Sequence, residues 1–142
     1  MTLLQVRGLT KKHDDVGVLN GVDFSLCKGE IKIVMGPSGC GKTTLLCCLN
    51  RLQEPSSGEI IFDGEEITAA AVDIQQVRQR IGFVFQNFAL YRHLSALDNV
   101  KLGLRKLRGL SDAEATQRAI HELSRVEMQD HQDKYPAHLS GG

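Results

Sequence analysis

The sequence lacks three features that would point to particular classes of protein: an excess of one charge, a long apolar run and a leader segment. Seventeen Lys and Arg balance seventeen Asp and Glu, whereas a nucleic-acid binder needs a basic surplus to neutralise phosphates. No apolar run approaches the ~18 residues that cross a bilayer. Residues 1–15 show no basic leader and no small-residue cleavage site. We therefore expect no nucleic-acid partner, no membrane insertion and a cytoplasmic location.

The four cysteines include no C-x-x-C pair, the spacing typical of zinc and dithiol sites. We therefore favour buried, small hydrophobic residues in a reducing compartment over a disulfide. The chain has no internal repeat, low-complexity tract or linker, and its 142 residues fit one domain of typical size.

Hydrophobic periodicity predicts a mixed α/β chain. Alternation of apolar and polar residues predicts strands over 3–9 and 21–26, and a glycine-bracketed β-branched run predicts a strand within 58–64. Apolar runs at 31–35 and 81–86 predict two further strands, the second buried on both faces of a parallel sheet. Residues 43–49 follow a glycine-rich segment and are predicted to be helical.

From Ser95 onward the period becomes helical. The first helix has an apolar stripe of Leu97, Val100, Leu102, Leu104 and Leu107, and it ends at Gly109. A capping box, Ser111 with Glu114, opens a second helix, whose predicted buried stripe is Ala119, Ile120, Leu123 and Val126. The basic residues on the first helix, at 101, 105, 106 and 108, form either a docking surface or, as we favour, a solvated face.

A glycine-rich loop stands between the strand predicted at 31–35 and the helix predicted at 43–49. Its residues are Gly36, Pro37, Ser38, Gly39, Cys40, Gly41, Lys42 and Thr43, which match G-x-x-x-x-G-K-[ST] in full. The glycines allow successive amides to point inward as an anion nest, and the helix N-terminus adds positive potential. Lys42 would meet the β- and γ-phosphates, and the Thr43 hydroxyl would bind Mg²⁺. A glycine turn that binds nothing leaves the order of Lys and Thr unexplained.

Cys40 lies inside this loop. We expect its amide to face phosphate and its side chain to point away, so that alkylation of the thiol blocks the nucleotide by crowding. The alternative is a packing role.

Three motifs occur in a fixed order: the glycine-rich loop, a glutamine at the end of the 81–86 run, and Leu139-Ser-Gly-Gly. With this order and spacing, the chain resembles the ATP-binding subunits of ATP-binding-cassette (ABC) transporters. The resemblance covers the whole chain, and GPSGCGKTTLL, VFQNFALYRHLSALDNV and YPAHLSGG look most like the importers of polar amino acids. It implies one partial ABC ATP-binding domain of the P-loop α/β cassette fold. An N-terminal antiparallel β portion and a partial RecA-like nucleotide-binding core together span 1–94, and an α-helical arm spans 95–142.

The resemblance also assigns roles to matching positions. His13 would stack on adenine in place of the family's aromatic residue, beside Val18, or it is a plain turn residue. Thr44 joins the ATP-binding loop, and Gln86 would touch Mg²⁺ and the attacking water. The signature motif, Ser140, Gly141 and Gly142, would close over the ATP of a partner subunit.

The partners that the resemblance implies are a second ATP-binding subunit and the membrane permease subunits. The segment Gln86 to Leu97 would contact the permease, with Leu90, Tyr91 and Leu94 as its apolar surface. These three residues could instead pack the helical arm. The protein would then be cytoplasmic and peripheral at the inner face of the membrane.

The 142 residues stop within the signature, so we expect a truncated chain. The family's apolar strand ending in Asp-Glu and its switch histidine do not occur in them, and phosphoryl transfer needs such positioning groups. We therefore expect little or no ATPase activity from this chain alone. Two alternatives to an importer subunit are a catalytically inactive nucleotide-binding remnant and a non-transport ABC ATPase. A phosphate-loop kinase or GTPase explains LSGG less well, and the chain has no N-K-x-D guanine reader.

Overall fold

The computed structural model describes residues 1–140 and divides into two compact units, Met1–Phe83 and Val84–Gly142. Within the described residues, no helix is both long and apolar enough to cross a membrane.

The first unit is built on a four-stranded antiparallel sheet. Its strands are β1 (Thr2–His13), β2 (Val16–Cys27), β3 (Ser57–Phe62) and β4 (Glu65–Glu66), in the order β2-β1-β3-β4. The apolar side chains of β2, Val22, Phe24 and Leu26, are less exposed than the polar residues between them, as the period of two requires. The sequence predictions of these strands are confirmed, and so is the antiparallel β portion.

Two helices pack on this sheet: α1 (Lys42–Leu49) and α2 (Ile74–Arg80). The core contains side chains from the sheet and from both helices, and it consists of Val6, Leu9, Leu19, Leu45, Cys48, Ile60, Ile67 and Val77. The predicted helix over 43–49 is therefore confirmed.

Arg78 joins the two helices. Its Nε donates to the carbonyl of Asn50 at 3.1 Å, and its Nη2 donates to the carbonyl of Arg51. These carbonyls follow the last turn of α1, where a helix leaves acceptors unpaired. Arg78 thus fixes the C-terminal end of α1.

The strand predictions for 31–35 and 81–86 are wrong. Neither run is a strand, and within residues 1–140 no strand pairs with either. Most of their side chains are exposed, with Ile31 at 87% and Val84 at 90%, whereas Ile81 packs partly buried against the core. A strand exists only through hydrogen bonds to a neighbour, so apolar composition alone did not make these runs strands.

The second unit contains the helical hairpin α3 (Ala96–Arg108) and α4 (Asp112–Arg125), followed by short 3₁₀ turns at Gln129–His131 and Pro136–His138. Ser95 caps α3, whose end at Gly109 has a φ of 64°. The predicted capping box of Ser111 and Glu114 is present, and the Ser111 hydroxyl lowers the pKa of Glu114.

The predicted stripe of α4 is half right. Ala119 and Leu123 are buried, together with Ala115, at i, i+4 and i+8. Ile120 is 40% exposed because it lies one position around the helix, and Val126 is 65% exposed because it follows the last turn. On α3, Leu107 is also exposed.

Two of the four basic residues of the cluster on α3 form ion pairs with one carboxylate. Lys101 and Arg105 both meet Asp112, at 3.1 and 3.3 Å. The second helix therefore supplies the counter-charge for the first.

Gly58 is the glycine on which the sheet depends most. Its φ is 98°, and a Cβ there would lie 2.6 Å from both the Gly8 carbonyl oxygen and the Leu9 Cα.

We expect Gly58→Ala to destabilise the chain by about 1–3 kcal/mol or more, since left-handed strain adds to overlap with backbone atoms. Urea unfolding followed by circular dichroism measures this. The matched control is Gly82→Ala, whose Cβ would meet nothing within 4 Å; equal stability of the two variants would contradict the argument.

Candidate nucleotide-binding site

The glycine-rich loop from Gly36 to Gly41 leads directly into α1. Gly39 and Gly41 have φ values of 81° and 92°, in the left-handed region that glycine enters without a steric penalty. The amide of Cys40 donates to the Pro37 carbonyl at 3.4 Å, which closes a turn. The backbone thus curls at Gly39, which is an added glycine within the loop, and at Gly41, which is the second glycine of the motif.

The ammonium group of Lys42 lies inside this curl. Its Nζ donates to the carbonyls of Gly36 at 2.8 Å and Pro37 at 2.6 Å, and it lies 3.7 Å from the Cys40 sulfur. The loop is therefore folded around one positive charge, which two neutral carbonyls solvate.

The N-terminus of α1 differs from those of the other α-helices, α2, α3 and α4. Asp73, Ser95 and Ser111 each cap their helix with a side chain, whereas α1 begins at Gly41 with no side-chain cap and no acid in its first turn. Within residues 1–140, nothing accepts a hydrogen bond from the amides of Lys42, Thr43 or Thr44. Three amides and the positive end of the helix dipole are thus available to an anion.

Cys40 is placed differently from the prediction. Its amide donates to the Pro37 carbonyl, whereas the prediction had that amide free to face phosphate. Its sulfur packs against Gly36, where a Cβ would come within 2.7 Å of it. Cys40 and Cys27 are exposed, whereas Cys47 and Cys48 are buried, and burial raises the pKa of the Cys48 thiol.

Val18 lies directly against the loop. A Cβ on Gly41 would be 3.0 Å from the Val18 carbonyl and 3.1 Å from its Cγ1. His13 is exposed at the end of β1, paired with Val16, which is itself 69% exposed. Val16 was not singled out from the sequence as a neighbour of His13. The signal that could have found it is an apolar residue directly after a turn that contains two aspartates.

Gln86 belongs to the second unit, where it is exposed in a turn. The Phe88 amide donates to the Phe85 carbonyl at 3.0 Å. Phe88 and the residue after it, Ala89, have φ values of 59° and 50°. Left-handed backbone at residues other than glycine is strained, and such strain occurs often at functional sites.

The second unit has a groove of about 620 Å³ next to this turn. Its walls come from two segments, one after Gln86 and one before the signature, and they include Phe88, Leu90, Arg92, Met128, Pro136 and Leu139. Of the predicted apolar surface, Leu90 lines the groove, while Tyr91 and Leu94 line a neighbouring cavity beside α3. Ser140 lines the groove as well; Gly141 and Gly142 lie outside the described residues.

A family model described as "ABC transporter" matches residues 19–142. The chain belongs to the ABC transporter family. It is 39% identical over 140 residues to the glutamine transport ATP-binding protein GlnQ of Escherichia coli, covering 99% of this chain and 58% of that protein. It is 40% identical over 134 residues to GlnQ of Geobacillus stearothermophilus, covering 94% and 55%.

A solved structure carries the same fold. The dimeric ATP-binding cassette MJ0796, bound to ADP and Pi, superimposes with a TM-score of 0.83 at 34% identity, covering 98% of this chain and 64% of that one. The ABC cassette fold expected from the sequence is therefore confirmed. The chain spans somewhat more than half the length of the curated relatives it matches.

Thiol labelling tests the position of Cys40 with an internal control. We expect a maleimide to react with Cys40 and Cys27 and to spare Cys47 and Cys48, because only the first two are exposed. MgATP at ten times its Kd should slow labelling at Cys40 about tenfold, because only unoccupied chains react. Labelling at Cys27 should be unchanged. Mass spectrometry of the peptides follows both sites, and equal slowing at both, or at neither, would contradict the assignment.

Proposed function

We propose that this chain is the ATP-binding portion of an ABC importer subunit and that residues 36–44 hold the phosphates of MgATP. The observation that carries the proposal is the N-terminus of α1, which is uncapped and stands beside the Lys42 ammonium. An anion placed there gains three amides and one full positive charge.

ATP would replace the loop's own carbonyls around Lys42. The phosphate oxygens carry full negative charge, so they would hold the ammonium more strongly than the neutral carbonyls of Gly36 and Pro37 do. The exchange needs only a movement of the Lys42 side chain. The curl would therefore be largely formed before the nucleotide arrives.

The residues present also fit Mg²⁺. Thr43 is exposed, and its hydroxyl forms no hydrogen bond within residues 1–140, so an oxygen ligand is available next to the phosphate site. Within the same residues, no group of three His, Cys, Asp or Glu side chains forms a metal site. Mg²⁺ typically takes few protein ligands and completes its shell with phosphate and water. We propose Gln86 as a second contact.

The base would lie on the β1–β2 side of the loop. Val18 already touches Gly41, and His13 with Val16 extends an exposed surface at the end of the hairpin. A histidine ring offers less π surface than tyrosine, so adenine recognition would be looser here.

The transported solute would be a polar amino acid or a similar small molecule, since the relatives reported above are glutamine transport proteins. The segment Gln86 to Leu97 would dock on a membrane permease subunit, with Leu90 in the apolar groove described above. A second ATP-binding subunit would meet Ser140, Gly141 and Gly142, in keeping with the dimer of MJ0796.

Removal of the Lys42 charge tests the phosphate site. A ligand at one hundred times its Kd stabilises the folded state by about 2.7 kcal/mol, which corresponds to a melting-temperature rise of several degrees for a chain of this size. We expect MgATP to produce this rise in the parent chain and none in Lys42→Ala. The control is Lys106→Ala, which removes an exposed lysine that forms no ion pair with the described residues. An unchanged rise in Lys42→Ala would refute the proposal.

Substitution of His13 tests the base site. We expect His13→Tyr to bind ATP several-fold more tightly and His13→Ala more weakly, because base stacking on an aromatic side chain contributes about 1–3 kcal/mol. Calorimetric titration measures both affinities. Inorganic triphosphate has no base, so its affinity should not change in either variant. If ATP affinity is the same in all three chains, His13 is a turn residue only.

A further inference from the structure

Two segments of the second unit meet at the first turn of α3. One is the post-Gln86 segment, residues 87–95, and the other is the pre-signature segment, residues 129–140. They lie far apart in sequence but line the same groove. Hydrogen bonds at this turn hold both segments.

Asn99, one turn into α3, holds the post-Gln86 segment. Its Oδ1 accepts from the Tyr91 amide at 2.8 Å, and its Nδ2 donates to the carbonyls of Tyr91, Leu94 and Ser95 at 3.2, 3.1 and 2.9 Å. Three carbonyls surround the nitrogen, and one amide points at the oxygen. This pattern determines the orientation of the side-chain amide.

The backbone at the start of α3 holds the pre-signature segment. The amide of Ala96 donates to the Lys134 carbonyl and the amide of Leu97 to the Gln132 carbonyl, both at 2.9 Å. The first amides of a helix have no partner inside it. Here the pre-signature segment supplies two of the missing acceptors.

We propose that Asn99 is the positioning residue that keeps the post-Gln86 segment and the pre-signature segment in one arrangement. Its side chain fixes the loop that ends at Ser95, which is the N-cap of α3. Ser95 in turn sets the geometry of the first turn, from which Ala96 and Leu97 reach the pre-signature segment. A loosened loop therefore loosens the first turn and, through it, the contacts to Gln132 and Lys134.

Under the proposed function, which this inference deepens, one segment meets the permease and the other leads to the signature over a partner's ATP. Asn99 would then hold the docking surface in a fixed position relative to the signature. The hydrogen-bonded connection itself requires no nucleotide. It can be tested in the chain alone, so its failure is distinguishable from failure to bind MgATP.

Hydrogen exchange of single amides, measured by NMR without nucleotide, tests the connection. The test variant is Asn99→Leu, which keeps a similar shape and removes every side-chain hydrogen bond. We expect exchange at Tyr91 and also at Ala96 and Leu97 to rise about tenfold or more, because several hydrogen bonds are lost together. The amides in the middle of α4 should not change. The matched control is Gln117→Leu, which replaces an exposed amide side chain on α4 and should leave all these rates unchanged.

Two results would overturn the proposal. Faster exchange at Tyr91 with unchanged rates at Ala96 and Leu97 would mean that Asn99 holds only its own loop. An equal rise at every amide of the second unit, including α4, would mean a general loss of stability.

A milder variant covers the case in which Asn99→Leu does not fold. Asn99→Ser can still donate to the Ser95 carbonyl one turn earlier, but it is too short to reach Tyr91. We expect the same pattern with a smaller rise at Ala96 and Leu97 than at Tyr91. An unchanged rate at Ala96 and Leu97 beside a raised rate at Tyr91 would also overturn the proposal.

Discussion

The absence of a side-chain cap on α1 is the constraint on which the candidate site depends. Each of the other α-helices in the described residues satisfies an N-terminal amide with the side chain of its capping residue, but α1 begins at a left-handed glycine. A capping carboxylate at that position would occupy the space in which an anion can bind. Because the cap is missing, the first amides of α1 stay available, and the Lys42 ammonium lies beside them on the loop carbonyls.

Several elements could be predicted from the sequence because their signal is local. The capping box of Ser111 and Glu114, the left-handed end at Gly109 and the helix after Gly41 each follow from a few neighbouring residues. The alternating strands of the antiparallel sheet were predicted, but the state of the apolar runs at 31–35 and 81–86 could not be, because a strand depends on a partner elsewhere. Apolar composition measures the tendency to be buried and carries no information about the neighbour.

The same distinction holds for the site. The loop from Gly36 to Thr43 is one continuous motif, so spacing alone was enough to find it. Asn99 carries no motif of its own, and its importance appears only when the carbonyls of Tyr91 and Leu94 are placed around it. Val16 was missed for a related reason, because its exposure beside His13 follows from the pairing of two strands.

The left-handed backbone at Phe88 and Ala89 has an energetic consequence. Two successive residues in this region cost about 1–2 kcal/mol each relative to a right-handed conformation, and the fold of the second unit retains both. A binding partner that allowed this turn to relax would gain that free energy in addition to its own contacts, whereas a partner that gripped the turn as it stands would gain nothing from it. The strain in the turn after Gln86 therefore favours partners whose binding changes the backbone conformation of Phe88 and Ala89.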